Sequence, residues 1–381
     1  METNPRILRG HSCLTDAAAA VAEFHTQVAQ DELEIVIFFC SSKYDLNVIA
    51  SEMNRLFAGV EVIGCTTAGE IGSCGYESFS LSGTSFNRAS ATALSCRIGD
   101  LGNFSMTRGY ESTSELWAHM KEKVPEASPR NTFALLLIDG LSVREEQVVR
   151  AVQSSLGGMS LIGGSAGDDS EFSQTWVFHK GAFHTNSAVL LLVCTPLHFM
   201  AFKTQHFVCE EERLVVTEAD VTKRIVKEIN GLPAAKEYAR VIGLDADKLD
   251  SGSFASWPVV VVIDGTDYVR SIQQANPDGT LTFFCAIDEG LVLRVARGQD
   301  LLGNLKQALD EIREELGSPQ IILSCDCILR NQEITQTGIK GAVGELLNQN
   351  NAVGFSTYGE QYGGVHVNQT FTAIAIGGED E

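Results

Sequence analysis

One pattern written three times constrains this chain of 381 residues more than any other feature. In the first copy an apolar strand, "EIVIFFC" (Glu34 to Cys40), precedes a helix over 46–57. A second strand, 60–63, then runs into Gly64-Cys65-Thr66-Thr67-Ala68-Gly69-Glu70. The second copy has "FALLLID" (Phe133 to Asp139), a helix over 144–156, and Leu161-Ile162 leading into Gly163-Gly164-Ser165-Ala166-Gly167-Asp168. The third has "QIILSC" (Gln320 to Cys325), a helix near 337–347, and Ala352-Val353 leading into Gly354-Phe355-Ser356-Thr357-Tyr358-Gly359-Glu360. Roughly 30 residues separate the first strand from the first glycine each time, the span of a βαβ unit. The first strands are apolar on both faces, as strands between two layers must be. Alternating, hairpin-forming strands come after each turn, which predicts mixed sheets. The fold class expected is α/β: two domains with mixed sheets built from recurring strand–helix–strand–glycine-turn–strand units.

The length also favours two domains. Between copies two and three lies unlike material, including a helix starting near Ala234 and a hairpin through Asn276-Pro277-Asp278-Gly279. An amphipathic helix over 300–316 comes next, with apolar residues at 301, 302, 305, 309, 312 and 316 on one stripe. The boundary is expected near 205–212, giving domains 1–205 and 206–381. With 28 basic against 49 acidic residues the net charge is −21, and no basic stripe offers itself to a phosphate backbone, which argues against nucleic acid. No apolar run reaches membrane-spanning length, and no charged-then-apolar leader opens the chain, so a cytoplasmic location without a membrane is expected. The ten cysteines then read as reduced thiols. Cys325-Asp326-Cys327 is a single C-x-C, which does not make a zinc site.

Gly163 to Gly167 satisfies G-x-S-x-G, the pattern of a nucleophile elbow. An elbow needs a helix directly after the serine, whereas Ser165 leads into a short polar stretch before the strand-like Thr175-Trp176-Val177-Phe178. The equivalent positions, Thr66 and Ser356, share the turn without being nucleophiles. A carboxylate beside each turn (Glu70, Asp168, Glu360) would repel a phosphate. The turns therefore read as backbone geometry with an acid capping N–H groups, and no enzyme activity is expected. An enzyme built on Ser165, or on Cys65 in the first turn, is the less favoured reading.

The stretches "VIGCTTAGEI", "LIGGSAGDD", "EINGLPAAKEYARVIGL" and "GFSTYGEQYGGVHVNQTFTAIAI" resemble the FIST N and FIST C pair, a bacterial signal-transduction module, over about residues 25–378. "PLHFMAFKTQHF" and "SIQQANPDGTLTFFCAIDEGLVLRVARG" resemble the family's nitric-oxide-sensing haemoprotein branch (NosP). That resemblance implies haem b, nitric oxide as the signal, and a partner that is a histidine kinase or a cyclic-di-GMP enzyme. A homodimer is also compatible. Haem iron takes His, Cys, Met or Tyr. Under this reading His206 is the expected iron ligand, with His184 and then His198 behind it, and Cys194 or Cys209 as the thiolate option. Phe207 belongs to the apolar neighbourhood of the porphyrin, and Lys203 and Arg213 face its propionates. The wider family implies the alternative, a haem-free sensory module for a small, amino-acid-like ligand.

Overall fold

A computed structural model describes residues 6–263 and 266–377, so the outermost residues of the spans 1–205 and 206–381 lie outside it. The three copies are three units of one plan. Leu33–Ser41 lies parallel to Glu61–Thr67, Thr132–Ile138 to Ser160–Ser165, and Ile321–Cys327 to Ala352–Thr357. Helices Leu46–Leu56 and Glu145–Leu156 make the first two crossovers. Asp45 starts the first of these by accepting from Asn47 N and Val48 N. The third crossover holds two helices, Ile328–Gln336 and Lys340–Gln349, where the sequence pattern signals one. The extra helix buries Arg330 against Asp326, Nε to Oδ1 at 2.7 Å, and that polar pair breaks the apolar period by which a helix is recognised.

On the other side of each first strand a closing strand pairs antiparallel: Leu81–Asn87, Ser187–Cys194 and Phe371–Ile376. An edge strand adds to each of these: Ile7–Ser12, Thr92–Gly99 and Phe199–Thr204. The sheets are mixed, as expected. Their apolar first strands are shared between two cores. Ile35, Ile37, Phe39, Leu135, Leu137 and Leu323 meet in a central core common to all three sheets, where Phe39 stacks on Phe355 at 4.6 Å. Val36, Phe38, Leu136 and Ile322 face outward against helices. Burial on both faces is why these strands carry no polar alternation.

The units are joined by exchange. The hairpin Glu70–Gly72/Gly75–Glu77 of unit one pairs with Ala352–Thr357 of unit three. The hairpin Val177–His179/Ala182–His184 of unit two pairs with Glu61–Thr67 of unit one. The hairpin Glu360–Tyr362/Val365–Val367 of unit three pairs with Ser160–Ser165 of unit two. Each six-stranded sheet therefore has the same order, edge–closing–first–second, and ends in a hairpin lent by another unit.

A further body is inserted into unit three. Strands from Phe207–Asp220 through Val292–Gly298 form an antiparallel sheet, with helices Ala234–Ile242 and Ser251–Ser256 and a core around Leu214, Tyr238, Phe254 and Leu293. It lies between the edge strand Phe199–Thr204 and the helix Leu301–Leu316, whose Leu305 and Leu309 pack with Ile322 of unit three. A cut at 205/206 falls where the chain leaves the third sheet, since Phe199–Thr204 on one side pairs with Phe371–Ile376 on the other.

Candidate functional site

The first glycine of each turn lets two strands converge. A Cβ on Gly64, Gly163 or Gly354 would stand 2.4, 2.1 or 1.9 Å from the carbonyl oxygen of Phe38, Leu136 or Ser324 in the parallel neighbour. The three turns then hydrogen-bond around a ring. Ala68 N donates to Ser356 O (2.9 Å), and Ser356 N to Gly69 O (2.7 Å). Ser165 N donates to Gly359 O (2.9 Å), and Tyr358 N to Ser165 O (3.2 Å). Gly167 N and Asp169 N donate to the carbonyls of Thr66 and Thr67 at 3.0 and 3.1 Å.

The acids do cap N–H groups, but in two ways. Glu70 accepts from Thr67 Oγ1 and from Ser80 N and Oγ at 3.0 and 2.8 Å. Glu360 repeats this with Thr357 Oγ1 and with Thr370 N and Oγ1 at 3.2 and 2.7 Å. Burial outweighs these bonds and pushes both carboxyls up to about 8. In unit two Asp139 takes that place, accepting from Asn186 N and Thr175 Oγ1, each at 2.5 Å. Asp168 instead caps the next loop, accepting from the N–H groups of Phe172, Ser173 and Gln174 at 2.9, 2.8 and 2.8 Å, and from the Tyr358 hydroxyl. Burial works to raise the Asp168 carboxyl, but these bonds prevail and hold it below its ordinary value.

Ser165 ends its strand with no helix after it. Its hydroxyl is buried and accepts from Gln361 Nε2 at 3.1 Å. The elbow geometry is absent. Cys65 is buried as well, and burial holds its thiol well above the usual range.

Beside the ring lies a hollow of about 380 Å³. Ala68 of turn one, Asp169 and Ser170 of unit two, Asn331, Gln332 and Thr335 of unit three, and Ser251 of the inserted body all line it. All three units and the inserted body thus meet at one cavity. Lys43 Nζ lies 2.8 Å from Asp169 Oδ2, and this partner raises the lysine's pKa. Asn331 Nδ2 donates to Ser356 Oγ at 3.0 Å, while the buried Gln332 Oε1 has no hydrogen-bond partner among the described residues. Phe172 bridges Tyr358 of turn three and Phe284 of the inserted body, with ring centroids 4.5 and 5.6 Å away. Arg224 of the inserted body reaches Glu145 and Glu146 of unit two, both at 2.6 Å. The cavity is therefore walled by parts held together through polar and aromatic contacts.

The residues expected at a haem are not brought together. His206 is buried where the chain enters the inserted body, with Nε2 2.9 Å from Glu333 Oε1 and Nδ1 3.1 Å from Arg330 Nη1. A guanidinium only donates, so Nδ1 accepts and Nε2–H donates to Glu333. Burial lowers the pKa of this ring, with Glu333 opposing. Both nitrogens are engaged, so His206 in this arrangement does not fit an iron ligand. Phe207 packs on its ring at 4.2 Å. Lys203 Nζ reaches Gln205 Oε1 at 3.5 Å and lies 5.4 Å over the Tyr268 ring. Arg213 is exposed on the inserted body, in register with Arg294. His184 sits on the outermost strand of the first sheet, with Nε2 3.2 Å from His179 O. Cys209 Sγ is 3.3 Å from Asp267 Oδ2. His198 is exposed and borders a second hollow of about 600 Å³, together with Cys194, Arg88, Arg130, Leu197 and Phe199.

The family model described as the FIST N domain matches residues 34–232, and the FIST C domain model matches 234–363. The chain belongs to the FIST family, whose domains mark a sensory signal-transduction module. The two matches meet inside the inserted body. An uncharacterized protein of Methanocaldococcus jannaschii is similar at 22% identity over 390 residues, covering 92% of this chain and 75% of its own length. Among the described residues no helix is long and apolar enough to cross a membrane.

Proposed function

We propose that this chain senses a small, zwitterionic, amino-acid-like metabolite in the 380 Å³ hollow beside the ring of turns. The observation that carries this is a small-molecule-sized cavity whose walls come from all three units and from the inserted body. Asp169 offers a carboxylate to an ammonium group. The amides of Asn331 and Gln332 and the hydroxyl of Ser251 offer hydrogen bonds to a carboxylate, and the Thr335 oxygen, whose proton goes to Asn331 O, accepts from a side chain. A ligand touching Ser251 and Asp169 together favours one placement of the inserted body over others, and differential binding of that kind is what a sensory shift requires. A histidine kinase or cyclic-di-GMP enzyme is the listener we assign to that shift. The test is thermal unfolding across a panel of free amino acids. A binder should raise Tm with its concentration, and Asp169→Asn should abolish the rise. A panel with no stabilising member ends this reading.

Haem-based sensing of nitric oxide is the second reading, and the 600 Å³ hollow beside His198 supports it better than His206 does. There an exposed imidazole, apolar Leu197 and Phe199, and the cations Arg88 and Arg130 suit an iron ligand, a ring face and two propionates. Haem, when bound, would supply the gas-binding iron; the chain's own residues would hold and orient it. A Soret band after hemin addition that is lost in His198→Ala and kept in His206→Ala would support this site.

A further inference from the structure

Away from both hollows, at one edge of unit one, the strand Ile7–Ser12 ends beside the tip of the hairpin that unit one lends to unit three. His11, Cys13 and Cys74 converge there, with one ligand-type atom from each lying within 4.8 Å of the others. Cys13 Sγ is 3.8 Å from His11 Nε2. No disulfide joins the two cysteines.

We propose that His11, Cys13 and Cys74 form a site for a single thiophilic cation of the Zn²⁺ class, with a fourth position open to solvent. Zinc bonds of about 2.3 Å to sulfur and 2.0 Å to nitrogen in a tetrahedron place ligand atoms roughly 3.5–3.8 Å apart. The Cys13–His11 separation of 3.8 Å is within about 0.3 Å of the sulfur–nitrogen value of that geometry. Cys74 lies in an exposed tight turn between Gly72 and Gly75, so turning its side chain inward moves no core group.

The histidine is placed for this role. His11 is 6% exposed, and its Nε2 is the nitrogen that faces Cys13, while Nδ1 sits on the side covered by Gly72. The backbone on either side of the ring is fixed: His11 N donates to Gln27 Oε1 at 3.0 Å and His11 O accepts from Gln27 Nε2 at 2.8 Å. Gly72 closes over the ring, since a Cβ there would meet its Cγ at 2.6 Å. The ring is thus held against the two sulfurs.

The charge environment also favours a cation. Glu23 and Glu77 place negative charge near Cys13. A bound dication would displace the thiol protons, leaving two thiolates and a neutral imidazole around the metal. Coordination would also clip the edge strand of the first sheet to a hairpin built into the third.

The experiment uses the full chain, reduced and stripped with a chelator, then titrated with Co²⁺ and Zn²⁺ as the bare metals. We expect one equivalent of Co²⁺ to give thiolate-to-metal absorption that one equivalent of Zn²⁺ removes. Cys74→Ser, on the exposed turn, should weaken Zn²⁺ binding at least tenfold while leaving the circular dichroism unchanged. Cys13→Ser should do the same, and Cys209→Ser should bind as the parent does. No uptake, or equal uptake by the Cys13→Ser/Cys74→Ser double variant, overturns the site. So does a Cys13–Cys74 disulfide in protein isolated without reductant, if the reduced form then takes up no metal.

Discussion

Turns one and three follow one chemistry and turn two another, although all three share a backbone role. In units one and three a buried glutamate ties the turn to the residue before the closing strand, Ser80 or Thr370. In unit two the same duty has moved to Asp139, at the far end of the first strand, which holds Asn186. That transfer frees Asp168 to organise the loop 168–174, and this loop supplies Asp169 and Ser170 to the hollow. The copy that departs from the pattern is the one that opens a cavity. Repetition builds the scaffold here, and its local failure leaves the hollow.

The sharpest way to break this comparison is to test what the three turns share. Alanine at Gly64, Gly163 or Gly354 forces a Cβ onto a backbone carbonyl, and each should cost about 3 kcal/mol, the upper end for overpacking, by chemical denaturation. If Gly163→Ala were tolerated and the other two not, turn two would no longer be a true copy.

The acids should next separate the turns by the sign of their pH dependence. Glu70 and Glu360, raised to about 8 by burial, keep protons that the unfolded chain releases near pH 4.5. Their stabilising contribution is complete below that pH and is lost as pH rises through 8, at up to about 1.4 kcal/mol per pH unit per group. Glu70→Gln and Glu360→Gln should therefore flatten the fall between about pH 4.5 and 8 in a denaturation series. Asp168 has the opposite sign: its lowered pKa gives stability that is present above pH 3.8 and lost as pH falls further. Asp168→Asn should remove only that acid-side loss.

Tyr358→Phe removes the hydroxyl that links turn three to Asp168. It should cost about 1–2 kcal/mol, and hydrogen exchange should quicken in 168–176 before the rest of unit two. The smallest effect on stability is expected at Asp169, whose partner Lys43 is half exposed. Asp169→Asn should change stability by less than about 0.5 kcal/mol while removing the amino-acid response in the same thermal assay.

Much of the scaffold is legible in the sequence because its signals are local. Apolar first strands, the amphipathic stripe over 300–316 and glycines at fixed offsets all report on neighbours a few residues away. The exchange of hairpins is not legible, because "EIGSCGYES" and "HKGAFHTNS" pair with strands far along the chain and carry nothing that names the partner. The inserted body is visible only as unlike material, since the edge strand "FMAFKT" gives no sign that its neighbour is Phe371–Ile376. Among site residues, Asp168 and the glycines stand out in the sequence for reasons the structure supports. His206 stands out for lying at a junction, which it does; its engagement by Glu333 and Arg330 comes from a helix that the sequence pattern conceals. His11, Cys13 and Cys74 escape notice as a group because a β-hairpin alone brings them together.

The circular lending of hairpins has a consequence for how the chain is made. Within its own hairpin Ile71 pairs only with Tyr76, and the other edge of its strand must wait for Gly354. At the usual pace of synthesis that delay is about 15 to 60 s. Throughout it the hairpin 70–77 presents an unpaired edge, the kind of surface that recruits strands from other chains. The first 200 residues should therefore depend on chaperones until the last strands emerge, and a chain cut before residue 352 should aggregate however well its own units are formed.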